Sequence, residues 1–569
     1  MKIPKKQSFL RSTFVLALSL VTVKIIGAFF KIPLMNLLGE TGMGYFSAAY
    51  TVFTAVYAVT VSGLSSAFAK LTAEYADESM YPESIRLRRI CLPVYGCIGL
   101  LGTLVMLFGA NTFAARIQNP LSAPSVAAIA FAVFFCCLMA VYRGYYEGMG
   151  NMTPTAVSQV VEAFGKLFFG LAGVFFVLSD AKKRFLQGRP IFGTIAKSIQ
   201  EAISAAMPYA SAAALLGISA ASFLGLIYLL LYRALTDHKC PTYQVPSKPL
   251  GTQLKKLFDA AVPITVSTVL LQLIPLIDTL TVIPQLKHYY IANPDLAFKI
   301  GTLLQAGETQ ENFMFGVYAA CVTVYNLIPT AAALLSKSVL PRISALNACA
   351  ERQTSANYIK AVTTAACYFT VPAGLGIAGI AETILAVLYA RQPYTALYGT
   401  QSLMLLGVAA IFSGILMPFT AALQAGKSKL QQVFAQCIGA AVKLICNLCL
   451  IQRFGIAGAS ISTVLTQFVM AVTVMVGVRK QYGKIKLAGV LCKLIPMSLL
   501  STAIAAWAGE FLRTILPYPT MILAGSIAFA ALSYLITTVL FQPIEKNTLN
   551  ILSNGEKLRK GLEKFRIIR

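Results

Sequence analysis

The chain reads as an all-α polytopic membrane protein of about fourteen transmembrane helices, arranged as two six-helix lobes with two further helices at the C-terminal end. Three observations predict this class. Over 569 residues, 57% are hydrophobic and 12% charged, with a mean hydropathy of +0.72, a balance outside that of soluble domains. Apolar stretches long enough to cross a bilayer follow one another along the whole chain. An internal repeat then pairs stretches that lie six helices apart.

The first stretch, 10–38, carries Lys24 and Lys31 and continues into Pro33 and Gly39. It lacks the short apolar core and small-residue cleavage site of a signal peptide, so it is expected to remain in the mature protein. The second, 44–72, opens on Gly44-Tyr-Phe. Stretches 90–114 and 121–147 follow, the latter closing on Arg143 and Glu147. The fifth, 153–179, holds Glu162 and Lys166, and the sixth spans 205–232. The seventh, 257–283, carries Asp278 toward its outer end, and the eighth, 312–341, contains Gly316. Four more lie at 358–389, 398–425, 430–451 and 455–477, with Lys443 in the third of these. The last two, 488–510 and 520–541, complete the set.

The repeat is visible in two places. Gly44 to Phe53 aligns with Gly316 to Tyr325, and the same register sets Lys70 opposite Arg342. In the fifth and eleventh stretches Gln159 and Lys166 correspond to Gln436 and Lys443, after a shift that one loop insertion absorbs. Partners six helices apart keep the same membrane orientation, which predicts lobes related by a pseudo-twofold axis along the membrane normal. The expected organisation is an N-lobe over 1–235, a cytoplasmic linker over 236–256, a C-lobe over 257–480, two extra helices within 481–545, and a basic tail over 546–569.

The net charge of +26 is chiefly topological. Lys and Arg collect in the N-terminal tail, in loops such as 233–256 and 479–493, and after 541, so the positive-inside rule places both termini in the cytoplasm. This charge faces lipid headgroups and is not a nucleic-acid footprint. Segment 180–206 departs from the pattern: Lys182, Lys183, Arg184, Arg189 and Lys197 fall outside, where an amphipathic surface helix is expected.

Several chemistries are excluded by what is missing. The twelve cysteines are scattered, and Cys446-x-x-Cys449 lies in an apolar helix without a second ligand pair. Two histidines, His238 and His288, are too few for a histidine-centred metal or hydrolase site. No Gly-x4-Gly-Lys-Ser/Thr loop is present, so transport would run on a gradient or the membrane potential, with no cofactor and no enzymatic step.

Charges inside the membrane are costly and mark substrate or ion paths. Lys24 and Lys31 are seven residues apart, on one helix face and roughly 10 Å apart along its axis. With Lys166 and its repeat mate Lys443 they would give a positive cavity between the lobes. Glu162 stands one turn before Lys166, and Arg143 one turn before Glu147; both read as i,i+4 ion pairs with structural or gating roles. Asp278 reads as a counter-ion, a coupling carboxylate or a helix-end group. A roomy positive cleft suits a phosphate or pyrophosphate head group and disfavours organic cations.

The run Lys24-Ile-Ile-Gly27, Lys31-Ile-Pro33, Asn36-Leu-Leu-Gly39 and Gly42-x-Gly44-Tyr-Phe resembles the opening of the stage V sporulation protein B and MurJ-like lipid II flippase branch of the multidrug/oligosaccharidyl-lipid/polysaccharide exporter superfamily. So do Tyr142 to Ala156, Leu276 to Pro284 and Gly455 to Thr463. The resemblance implies two six-helix lobes, with two extra helices bordering a groove for a lipid tail. It also implies a cargo of polyprenyl-pyrophosphate-linked glycan, most notably lipid II, moved from the inner to the outer leaflet. Membrane lipids and cell-wall synthesis enzymes are the implied partners. Lys24 and Lys31 stand close to the family's basic positions for the pyrophosphate. One departure is clear: relatives carry arginines in the second and eighth helices, whereas here no basic residue lies between Gly44 and Lys70 or between Phe313 and Lys337. Either Lys166 and Lys443 supply part of that charge or the cargo differs.

Overall fold

A computed structural model describes residues 9–77, 81–236, 250–305, 307–337, 339–348, 351–426 and 429–541. The expected linker over 236–256 lies mostly outside these residues, and the basic tail lies wholly outside them. The chain forms two compact units, Met1–Gly316 and Val317–Arg569. Thirteen helical stretches among the described residues are long and apolar enough to cross a bilayer. The first, Leu18–Ala76, is 59 residues long, near 90 Å if straight and therefore enough for two crossings.

That stretch folds back on itself. Helix α1 (Phe9–Tyr57) is interrupted at Gly39, where φ is 66° and ψ −175°, a left-handed conformation that a side chain would strain. The Phe30 and Phe46 rings lie 6.1 Å apart, whereas sixteen residues of straight helix would separate them by about 24 Å. The first limb is thus the expected first membrane helix, and the second limb opens the expected second, which continues past Tyr57. A π-helical turn, Ala58–Ser62, leads into α2 (Gly63–Asp77), followed by α3 (Tyr81–Arg116), α4 (Ala123–Gly148), α5 (Thr153–Leu186) and α6 (Ile199–Thr236). Helix α7 (Leu250–Ala292), the short α8 (Pro294–Gly301) and the start of α9 (Gln310–Tyr325) complete the first unit.

Lipid tails are as apolar as leucine, so helices in a bilayer adhere through close packing and interhelical hydrogen bonds. Helices α5 and α6 do so through small residues, with Gly165 against Ala221 and Gly170 against Gly217. The repeat-related glycines Gly44 and Gly316 also come together: a Cβ on Gly316 would strike the Glu40 carbonyl oxygen, and one on Gly44 the Asn312 side chain. Buried Asn312 ties this joint, donating to the Thr41 carbonyl at 2.9 Å and accepting from Asn119 at 2.7 Å.

The second unit continues with α10 (Leu327–Lys337), α11 (Val339–Ala348), α12 (Arg352–Gly379), α13 (Ala381–Leu388), α14 (Pro393–Ala425), α15 (Lys429–Phe454), α16 (Ile456–Tyr482), α17 (Ala488–Ile515) and α18 (Pro519–Phe541). The last two helices dock on α12 and α13. Tyr368 donates to Thr538 at 2.7 Å, Arg513 donates to Thr383 at 3.2 Å, and the Ser501 and Ser533 hydroxyls meet at 2.9 Å.

The eighth stretch is kept as one span, Gln310–Ser336, with a one-residue irregularity at Asn326 across which i→i−4 bonds continue. Two expectations change. The stretch 358–389 divides at Ile380, where φ of −120° is non-helical. Segment 180–206 forms no separate surface helix. Instead α5 runs on to Leu186 and α6 starts at Ile199, with a tight tip between them. Apolar length alone does not register such breaks, since each half remains apolar.

Candidate functional site

Parallel packing of α1 beside α5 sets the depth of the charges. The Ser19 hydroxyl donates to Gln159 at 3.5 Å, across 140 residues, and Phe30 packs on Gly170 at the same separation. In this register Lys166 stands level with Ile26, between Lys24 and Lys31. Lys24 is exposed and Lys31 half-buried, while the Lys166 side chain is 31% exposed. The Lys31 ammonium lies over the Tyr50 ring, 5.6 Å from its centre, and Tyr50 also lies within charge-interaction range of Lys166. The three lysines therefore fall within about 10 Å of depth, and Tyr50 of the second limb of α1 neighbours Lys31 and Lys166.

Behind them is a buried network on α4, α5 and α6. Lys166 meets Glu162 at 2.7 Å, as its i,i+4 spacing predicts. Arg143 meets the other Glu162 oxygen at 3.0 Å and donates through Nε to Ser158 at 2.9 Å. Ser222 donates to Glu162 at 3.4 Å. One carboxylate thus serves two cations, and the cluster keeps a net positive charge. A carboxylate taken out of water needs such partners on both oxygens.

This corrects the expected Arg143–Glu147 pair. Among the described ion pairs Arg143 joins Glu162 on the neighbouring helix, because packing of α4 on α5 presents a carboxylate in line with the guanidinium. Glu147 is half-buried and lies beside Thr155 at the start of α5, within charge-interaction range of Arg143 but not paired with it. Asp278 is half-buried on α7 and is not among the residues of this cluster. Tyr50, Ser158 and Ser222 were not singled out from sequence. Tyr50 falls inside the repeated Gly44 to Phe53 segment, which was the available signal; the two serines carry none.

Lys443 has different surroundings. It belongs to the second unit and is fully buried, at 0% exposure. Its ammonium donates to Thr463 Oγ1 at 2.6 Å and to the Ala459 carbonyl at 3.2 Å, both on α16. Thr463 in turn stands 3.4 Å from the Tyr318 hydroxyl of α9. Gln432, Gln436 and Asn447 share the buried face of α15 with it. No group of three or more His, Cys, Asp or Glu side chains suited to a metal occurs among the described residues.

The polysaccharide biosynthesis protein family model matches residues 9–347, more than half of the chain. The chain belongs to this family. Among its relatives in Bacillus subtilis (strain 168) are the uncharacterized membrane protein YabM, 24% identical over 88% of this chain and 85% of the relative, and the lipid II flippase MurJ, 26% identical over 80% of each. Stage V sporulation protein B is 28% identical over a shorter stretch, 28% of this chain and 30% of the relative. Among solved structures, a lipid II flippase MurJ in an inward closed conformation matches with a TM-score of 0.62 at 14% identity, covering 93% of this chain and 98% of that one. An inward-facing MATE family multidrug resistance transporter of the MOP superfamily matches with a TM-score of 0.54 at 15% identity, over 80% and 98%. These likenesses establish a multi-pass fold of the MurJ and MATE type for this member of the polysaccharide biosynthesis protein family.

Proposed function

We propose that the protein is a flippase that carries a polyprenyl-pyrophosphate-linked cell-wall precursor, lipid II foremost, from the inner to the outer leaflet. The observation that carries this reading is that Lys24, Lys31 and Lys166 fall within about 10 Å of depth on two adjacent helices, with Glu162 already engaged by two cations. Three ammonium groups, two of them beside an aromatic ring, match a pyrophosphate followed by a sugar, since ammonium charge attracts phosphate while tolerating varied geometry. A polar disaccharide-pyrophosphate does not cross hydrocarbon unaided, while its polyprenyl tail stays in lipid. The lysine-lined space takes the head group, and alternating exposure of that space to the two sides moves it. Both termini lie in the cytoplasm, and the membrane potential or an ion gradient resets the empty carrier: one charge moved across 100 mV is worth about 2.3 kcal/mol. The protein acts as a carrier and not as an enzyme, needs no cofactor, and has cell-wall synthesis enzymes as neighbours in the pathway of its cargo.

Lys443 stays outside this substrate contact in our reading, because its ammonium is spent on α16. A related cargo, another lipid-linked polysaccharide repeat, is favoured by one feature: the resemblance implies arginines in the second and eighth helices, and no basic residue lies between Gly44 and Lys70 or between Phe313 and Lys337. A drug or cation antiporter would instead need an available carboxylate at this site, and Glu162 is not one.

The test is rescue of a bacterium depleted of its own lipid II flippase, reading the fraction of lipid II exposed on the outer leaflet. Wild type is expected to restore exposure, and Lys24→Gln with Lys31→Gln to lose it by roughly 100-fold or more at equal membrane abundance, as expected when two charge-assisted contacts go. Wild-type flipping by the double variant would sink the basic-cavity assignment. Failure of wild type itself, with binding of a different polyprenyl-linked glycan, would transfer the assignment to that glycan.

A further inference from the structure

The turn between α5 and α6 is a built structure with an outward surface that nothing in the first unit covers. Ala181, Ile191, Ala202 and Ala206 are completely buried and form its own small core. Ile191 and Thr194 exchange two backbone hydrogen bonds of 2.8 and 3.0 Å. The Phe192 ring stacks on Tyr209, with centres 3.9 Å apart and planes at 15°. This packing turns Leu186 and Ile195 outward, at 76% and 82% exposure. Lys182, Lys183, Arg189 and Lys197 are exposed around them.

The two acidic groups nearby are already engaged. Asp180 pairs with Arg184 at 2.7 Å, and Glu201 accepts the Lys197 backbone N–H at 2.7 Å. No carboxylate among the described residues pairs with the side chains of Lys182, Lys183, Arg189 or Lys197. Lys182, Lys183 and Leu186 lie on one helix face by their i,i+3 and i,i+4 spacing. Leu186 stands eight residues past Leu178, where the continuous apolar run of α5 ends, so it lies about 12 Å further along the axis. Lys182 and Lys183 lie about 6–8 Å along, at the level of the headgroup layer, which extends some 5–7 Å beyond the hydrocarbon, and Leu186 lies just past it, within a Debye length.

We propose that this tip is a membrane-surface site for anionic phospholipid headgroups, with the four cations meeting the phosphates and Leu186 and Ile195 entering the interface. Charge complementarity and position select this partner: an acidic bilayer surface is what a basic cluster at this depth faces. A soluble polyanion would satisfy the cations but leave two large apolar side chains in water.

The full-length protein is placed in nanodiscs of phosphatidylcholine, alone or with about 30 mol% phosphatidylglycerol, carrying lipids brominated near the glycerol. Trp507, the single tryptophan, is replaced by Phe, and Ile195→Trp reports contact through quenching. Phosphatidylglycerol is expected to raise quenching roughly twofold, and about 0.5 M salt to reverse the rise. The variant Lys182→Gln, Lys183→Gln, Arg189→Gln, Lys197→Gln is expected to remove the dependence while leaving melting unchanged. No quenching in either disc overturns the proposal, as does equal quenching in both, which would leave an apolar contact without headgroup recognition. Binding of inorganic polyphosphate in phosphatidylcholine discs, without lipid quenching, would also overturn it and reassign the surface to a soluble polyanion.

Discussion

Lys166 and Lys443 occupy matching positions of the repeat, yet one is open and the other sealed. Lys166 keeps 31% of its side chain exposed and faces a carboxylate that Arg143 shares. Lys443 has no exposure and gives its ammonium to a hydroxyl and a carbonyl of the adjacent helix. A repeat preserves residue type and helix register, but the use of a charge depends on the neighbours that packing supplies. An ammonium with spare donors beside an open space can meet a ligand, whereas one enclosed by its own helix pair serves the fold.

Four experiments test that contrast. Lys443→Glu puts a carboxylate against the Ala459 carbonyl in a sealed site and is expected to prevent recovery of folded protein; Lys166→Glu, in the open site, should still give inserted protein. Size-exclusion profiles decide this, and equal recovery of the two would erase the contrast. Glu162→Gln leaves Arg143 and Lys166 without their shared anion and should cost about 3–5 kcal/mol of stability, as for one partner lost from a buried pair. Adding Arg143→Met should return part of it in thermal unfolding. Thr463→Val removes a hydroxyl from Lys443 and is expected to cost about 1–3 kcal/mol, with Thr463→Ser near wild type. The smallest effect belongs to Tyr50→Leu, which removes the ring beneath Lys31, worth about 0.5–1 kcal/mol. Tyr50→Phe should retain most of it, and a cargo-binding titration in which Phe behaves as Leu would assign Tyr50 a hydroxyl contact instead.

Much of this arrangement was legible in the residue order. The apolar lengths announce the membrane crossings, and the four-residue spacing announces the Glu162–Lys166 pair, because both are properties of a single helix. Arg143 was matched to Glu147 by the same spacing rule, and the rule misled there: it sees along α4, while the real partner stands on α5. Contacts between helices depend on depth and rotation, which one strand of sequence does not encode. The same reason hid Ser222, and it hid the outward apolar face of the α5–α6 tip, where a short run of Lys and Arg suggested a surface helix. The break at Ile380 escaped because an apolar segment stays apolar across a turn.

The second limb of α1 has an irregularity at each end: the left-handed Gly39 at its start and the π-helical turn Ala58–Ser62 just after Tyr57. Between them the limb is a strut with a joint at either end, and Tyr50 is mounted on it. If the proposed cargo binds here, a phosphate that draws Lys31 off the Tyr50 ring would remove a tether from the strut, leaving it free to change its angle at the two joints. Loading of the lysines would thereby be linked mechanically to the angle of an adjacent helix through one aromatic side chain.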